Sequence, residues 1–417
     1  MAFHVSSEIG RLREVIMQPP GCGIERCTPT NVSSLAWDAV PSPKKALEEH
    51  KEFVRAVESF GTKVFLFEDL LRETLENPIA RAQVVCGVID IERPFLDEQT
   101  CETVADFLSS LSPQQLVDRL FYGMTKLELS EATDGVSLRT LADSTTHWCL
   151  YPMTNVLYSR DPAIIMGDLP IFGVMNNPDR HKEPLCYKAI FTYHPHFADW
   201  NKQAWYGKAP GDTAPIEGGN VHCYSSQLFV VGVNDRTRPQ AIEQLARRTM
   251  DNGPITDVLA LMFDNPRMNA ADPMGMYLHV DMFLNMIDHD AFLFYPYVEE
   301  KITALHITRG AKNTLKVHRE DSLFGAIKRL LGLSAVRIIK VGGEEAHDVA
   351  FAEQRAGSGG NTVNLEPGRV CIWDRNEVTI EALQKGGINV VAVKADELVK
   401  GGGGPRCSTM PLIRDDL

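Results

Sequence analysis

The chain's tail reads KGGGGPRCSTMPLIRD, with four glycines ahead of Cys407. Glycine lets a backbone approach other atoms closely and adopt torsions that a nucleophile loop needs and a packed strand does not. A lone cysteine, however, is more often a small buried hydrophobe. It becomes a nucleophile where cations or a cationic substrate stabilise its thiolate and a histidine carries protons for it. Of twelve histidines, His279 stands out in LHVDMFLNMID, two residues from Asp281. That spacing places both on one face of a strand, with Leu278, Val280 and Met282 on the other. Asp161 in NVLYSRDPAIIM and Glu217 in IEGGNVHCY each stand where a strand-like run gives way to a loop. Taken singly, they read as an Asp turn before Pro162 and a Glu at a Gly-Gly corner. Together, these carboxylates, one base and a Gly-flanked thiol would hold a planar cation with several N–H donors. His279, Asp281, His222 and Cys407 also admit a zinc reading, but no second short-spaced ligand pair supports it.

The elements that must bring these groups together follow a loose repeat: a helix-period segment, a glycine turn, then a short β-branched run. It recurs over 43–68, 239–262, 321–341 and 378–393. In the first, Ala46, Phe53, Val54, Val57 and Phe60 recur near helical spacing, Gly61 is the stop, and Val64 and Leu66 alternate after it. Further strand-like runs stand at 15–17, 164–166, 228–233, 283–287 and 292–295. Mixed units repeated around a centre are the simplest way to bury so many short strands. From 77 to 146 the rhythm breaks: 105–111 and 114–120 read as helical, 97–106 and 133–137 as polar connections, and Pro113 after Ser112 as a helix start. This segment is expected to be a helical insertion, leaving 1–76 and 147–417 as the catalytic body. The glycine-rich stretches 356–361 and 401–404 lack the strand-turn-helix setting of a phosphate loop.

Composition limits the partners. With 417 residues, 44% of them apolar and 23% charged, the chain lies in the ordinary globular range. Its formal charge, 42 minus 55 or −13, argues against nucleic acid, although local arginines can still attract a small anionic group. The first thirty residues carry Glu8, Arg11, Arg13 and Glu14 where a signal peptide needs an apolar run, and no stretch reads as a membrane span. Nine scattered cysteines without a C-x-x-C suit free thiols in a reducing compartment. A cytoplasmic location is expected.

At this point the sequence resembles the guanidine-modifying superfamily, and within it the arginine deiminases. The likeness runs from SEIGRLREVIMQPPG near the start through N-x-x-Y-S-R-D at 155–161, EGGN at 217–220, RTRPQAI at 236–242 and LHVD at 278–281. It continues through LEPGRVCIWDRN to GGPRCSTMPLIRD. The resemblance implies a fivefold pseudosymmetric α/β propeller of ββαβ units with a helical insertion after the first. It implies that Cys407 attacks a guanidinium carbon, that His279 moves the protons, that Asp161 and Asp281 orient the guanidinium, and that Glu217 holds His279. The substrate's carboxylate end would meet Asn155, Arg180 and Arg236, with Tyr158 and Gly402 also at the binding site. No metal or cofactor is implied, and the expected partner is a small guanidino molecule; homo-oligomer formation stays open.

The chain departs from the common pattern where it bears on substrate. Residues 401–404 are all glycine where many relatives carry an arginine, Tyr158 replaces a usual phenylalanine, Asn220 a usual aspartate, and Ala39 follows Asp38 where a second acid is frequent. The leading expectation is hydrolysis of L-arginine to citrulline and ammonia. The alternatives are an amidinotransferase, a hydrolase of another guanidino compound, and a non-catalytic arginine binder.

Overall fold

The computed structural model describes residues 3–142, 147–197, 205–206, 214–263, 279–344 and 347–417. Leu278 and residues 143–146, on which some of the expectations above fall, lie outside them. Within the described residues the chain is mixed α/β, with several small sheets and helices packed against them.

Five of the sheets share one plan: two antiparallel strands, a helix, and a third strand parallel to the second. Leu12–Met17 pairs antiparallel with the C-terminal strand Met410–Arg414; helix Pro43–Glu58 then leads to Lys63–Leu66, parallel to Leu12–Met17. The chain's two ends thus complete one unit. Ala163–Met166 and Leu169–Phe172 begin the next, followed by helix Lys182–Tyr193 and Trp205–Tyr206. Val221–Cys223 and Leu228–Val233 lead through helix Pro239–Asn252 to Asp257–Phe263. Leu284–Met286 and Ala291–Phe294 reach Arg337–Lys340 by way of helix Leu323–Leu330. Val363–Glu366 and Arg369–Trp373 lead through Glu377–Lys385 to Asn389–Val393. A helix is the usual link between parallel strands because the crossover must span the sheet's length.

Local sequence explains these elements. Pro43 opens its helix at a position whose N–H has no intrahelical partner, and Ala46, Phe53 and Val57 form its buried stripe. Gly61 follows with φ +79°, a conformation that strains residues bearing a Cβ. The four expected helix-then-strand segments all form.

Residues 78–142 fold as the helices Pro78–Glu92, Glu98–Ser110, Pro113–Tyr122, Lys126–Ala132 and Leu138–Ala142. Ser112 and Gln115 make a reciprocal capping box ahead of Pro113. The expected polar connection over 97–106 is instead a helix start: the Asp97 carboxylate accepts the Thr100 N–H at 2.9 Å and caps Glu98–Ser110. The buried pair Lys182–Glu92, 2.9 Å, ties this bundle to the helix beginning at Lys182. Among the described residues no helix is long and apolar enough to cross a membrane.

Candidate active site

Each of the five units contributes to one site from the segment just ahead of its first strand. Asp161 precedes Ala163–Met166, Glu217 precedes Val221–Cys223, and His279 and Asp281 precede Leu284–Met286. Asn361 precedes Val363–Glu366, and Cys407 precedes Met410–Arg414. The expected H-x-D strand is not one. His279 is extended (φ −137°, ψ 152°), but residues 280–282 form a tight 3₁₀ turn, so Asp281 folds under the chain toward Cys407.

A cleft of about 530 Å³ is lined by Ala36, Asn155, Tyr158, Asp161, Asn177, Arg180, Arg236, His279, Met282, Gly401, Gly402, Gly403 and Cys407. Eight of the ten residues singled out in the sequence line it. Glu217 and Asp281 stand behind it, Glu217 bonded to His279 and Asp281 to Cys407.

On one wall, His279 Nε2 lies 2.8 Å from Glu217 Oε2, and Nδ1 lies 3.6 Å from Asp161 Oδ1. Gly219 lets the backbone pass under this pair: a Cβ there would sit 2.5 Å from His279 Nδ1, and its N–H donates to Asp161 Oδ1 at 3.0 Å. Burial works to lower the His279 pKa, but Asp161 and the Glu217 hydrogen bond outweigh it, and the imidazole is raised above its ordinary value. Glu217 is likewise buried. Arg236 (3.3 Å) and His279 nevertheless hold its carboxyl below the usual range.

On the other wall, Cys407 Sγ accepts from Asn361 Nδ2 at 3.1 Å and lies 3.6 Å from Asp281 Oδ2. Asn361 Oδ1 also receives the backbone N–H groups of Arg406 (2.9 Å) and Cys407 (3.3 Å). Burial, then Asp281 and Asp161, push the thiol well above its ordinary pKa. Behind it Arg406 bridges Glu8, at 3.0 Å, and Asp281, at 2.9 Å. Asp281 Oδ1 is buried without a hydrogen-bond partner among the described residues. An acceptor in that state suits a cationic N–H donor placed beside the sulfur.

Arg180 is locked in place. It donates to Asp161 Oδ2 (2.7 Å), to both Glu183 oxygens (3.0 and 2.8 Å) and to the Tyr158 carbonyl (3.1 Å). Among the described residues, the Arg236 guanidinium is held through Nη1, by Glu217. Asn155 gives its amide to the Leu35 carbonyl at 2.8 Å and to Asp179 at 3.2 Å.

Asp161, Glu217 and His279 can present metal-ligating atoms within 4.8 Å of one another. Both carboxylates are already bonded to arginines, and His279 Nε2 is directly bonded to Glu217, so the set fits a proton-carrying imidazole better than an ion. His222, a member of the zinc alternative, does not line the cleft. Burial and then Arg406 depress its pKa, and its Nε2 contacts the Gly219 carbonyl at 3.3 Å.

Sequence reasoning missed Asn361, Arg406 and Glu8. The signal for Asn361 was the repeat itself: NTVNLE stands to its strand as DPAIIM and CSTMPL stand to theirs.

The geometry accords with three comparisons. The family profile described as arginine deiminase matches residues 33–414. An arginine deiminase of Bacillus cereus is 32% identical over 420 residues, covering 100% of this chain and 99% of its own. One from Borrelia recurrentis is 31% identical over 417 residues, covering 100% and 98%. Among solved structures, an amidinotransferase of saxitoxin biosynthesis from Microseira wollei has a TM-score of 0.57 at 13% identity, covering 100% of this chain and 98% of its own. At that identity the likeness speaks to the fold alone. With a family profile spanning almost every residue and relatives matched end to end, the chain belongs to the arginine deiminase family.

Proposed function

We propose that the protein hydrolyses the guanidino group of L-arginine, giving L-citrulline and ammonia through a covalent intermediate on Cys407. One observation carries this: a thiol, an imidazole and a carboxylate from three different units line one cleft together with two arginines. The names of the relatives, matched over their full length, support the same substrate.

A guanidinium is a delocalised cation and a poor electrophile, so it must be held and its carbon presented to sulfur. Asp161 accepts its N–H groups, sharing with Arg180 a carboxylate that has lone pairs for several donors. Asp281 accepts through its unpartnered oxygen. The substrate cation favours the thiolate, the thiol proton passes to solvent, and Sγ bonds to the guanidinium carbon. His279 protonates the departing nitrogen, the C–N bond breaks, and ammonia leaves. The same imidazole then takes a proton from water. The hydroxide adds to the carbon, the S–C bond breaks as the new hydroxyl's proton passes to sulfur, and citrulline departs with the thiol restored; the proton first given to solvent ends on ammonia as ammonium. Glu217 keeps His279 oriented and favours its protonated state. Arg236 and Arg180, with Asn155, face the substrate's carboxylate end, and Tyr158 and Gly402 bound the cleft.

Five sheets sharing one three-strand plan, one of them extended by Ile302–Arg309 and Leu315–Arg319, and the closure of one unit by the two chain ends support a pseudo-fivefold propeller with the site at one end of its axis. In this reading 1–76 and 147–417 form the catalytic body and 77–146 a helical insertion. Nine free cysteines support a reducing, cytoplasmic setting.

The test is incubation of purified protein with arginine and assay of citrulline. Product from another guanidino compound but none from arginine overturns the substrate; amidino transfer to added ornithine or glycine, in place of hydrolysis, overturns the reaction.

A further inference from the structure

Tyr158 and the unbroken run Gly401–Gly404 meet in space. The Tyr158 hydroxyl donates to the Leu398 carbonyl at 3.2 Å and accepts the Gly403 N–H at 3.3 Å. Burial pushes the phenol pKa far up, so the group stays a hydroxyl able to do both. A Cβ on residue 401 would stand 2.1 Å from the hydroxyl oxygen, and one on residue 403 would stand 2.3 Å from ring Cε1. The tyrosine therefore excludes side chains at both positions. Conversely, a phenylalanine at 158 would leave the buried Gly403 N–H and Leu398 carbonyl without this partner. Trp373 Nε1 also donates to the Gly403 carbonyl (3.1 Å), Ser358 Oγ to the Gly402 carbonyl (3.1 Å) and the Asp38 N–H to the Lys400 carbonyl (2.8 Å), while Glu49 Oε2 accepts the Leu398 N–H (3.1 Å). None of Trp373, Ser358, Asp38 and Glu49 lines the cleft, whereas Tyr158 does, beside Cys407 and Asp161.

We propose that Tyr158 is a positioning residue whose hydroxyl latches the 398–403 loop against the cleft wall, and that Gly401 and Gly403 are the counterpart the latch requires. The substrate's surroundings on this side are then backbone and ring, with no loop side chain. The inference rests on reading the cleft as a guanidino-substrate site.

The test compares wild type, Tyr158→Phe, Gly401→Ala and the double variant by steady-state kinetics with arginine. A second readout is the iodoacetamide alkylation rate of Cys407, resolved by peptide mass spectrometry. Tyr158→Phe is expected to raise KM about tenfold with kcat within about threefold, the pattern of lost binding, and to speed alkylation. Gly401→Ala is expected to be worse. The double variant should recover at least about tenfold in kcat/KM over Gly401→Ala, because the 2.1 Å contact goes with the hydroxyl and the remaining contact, 2.9 Å to ring Cζ, needs only a small shift of the ring. The latch is overturned if Tyr158→Phe lowers only the melting temperature, with KM and alkylation unchanged, or if Gly401→Ala is equally impaired in both backgrounds. Should Gly401→Ala fail to fold, the Tyr158→Phe pair of readouts decides. If wild type makes no citrulline, the substrate reading fails while alkylation still judges the latch.

Discussion

Cys407 and His279 share a cleft and the neighbours Asp161 and Asp281, yet burial acts on the two in opposite senses. At the sulfur, burial and both carboxylates disfavour the anion and outweigh the Gly404 backbone and Arg406, which favour it, so the proton is retained. At the imidazole, burial disfavours the cation, but Asp161, Glu217 and Asp281 favour it and prevail. The surroundings therefore favour the neutral thiol at Cys407 and the protonated form at His279. A guanidinium that enters brings positive charge beside both, and the neutral thiol is the group for which that charge favours ionisation. In the proposed reaction the substrate thus supplies part of the activation its own attack requires.

The largest effect should come from removing the sulfur. Cys407→Ala is expected to lower citrulline formation by at least about 10⁴-fold, with no covalent adduct by intact-protein mass spectrometry. An adduct in that variant would move the chemistry to another residue and dissolve the comparison.

Next comes the imidazole wall alone. Glu217→Gln should cost about 10²-fold in kcat, the low end of what general acid–base catalysis contributes. It should also move the basic limb of the kcat–pH profile to lower pH, because Asp161 still raises His279 but the Glu217 carboxylate no longer adds to it. Linkage gives the same sign for stability. A raised folded-state pKa contributes fully below the unfolded imidazole's value and is lost as pH rises through the folded one. Wild type should lose stability across that window, and Glu217→Gln should lose less. A basic limb unmoved in Glu217→Gln would assign it to another group.

The smallest effect belongs to the sulfur wall's scaffold. Asn361→Ala leaves two buried backbone N–H groups and the sulfur without their partner and should cost about 1–3 kcal/mol of stability in denaturant unfolding. Its kcat–pH limb should stay in place, since Asn361 does not touch His279. A shifted limb would couple the two walls more tightly than their separate hydrogen bonds suggest.

Much of this was legible from local pattern. Helical spacing from Ala46 to Phe60, Pro43 and Pro113 at helix starts and Gly61 at a stop are properties of neighbouring residues, and the elements formed accordingly. Where competing local rules apply, the reading slipped. Asp97 looked like a connection because its neighbours are polar, but an aspartate is also a good helix cap, and its side chain caps Thr100. The alternation LHVDM suggested a strand at His279, yet residues 280–282 curl into a turn that aims Asp281 at the sulfur.

Sequence alone determined which groups are available and that each stands at the mouth of a strand, because glycine, proline and alternation act over a few residues. Only the tertiary structure decided who meets whom. Asp281 and Cys407 lie 126 positions apart, and Glu8 and Arg406 lie 398 apart. Ion pairing, burial and the fit of Tyr158 against Gly401 depend on distance through space, which the folded chain sets and no short stretch of it encodes.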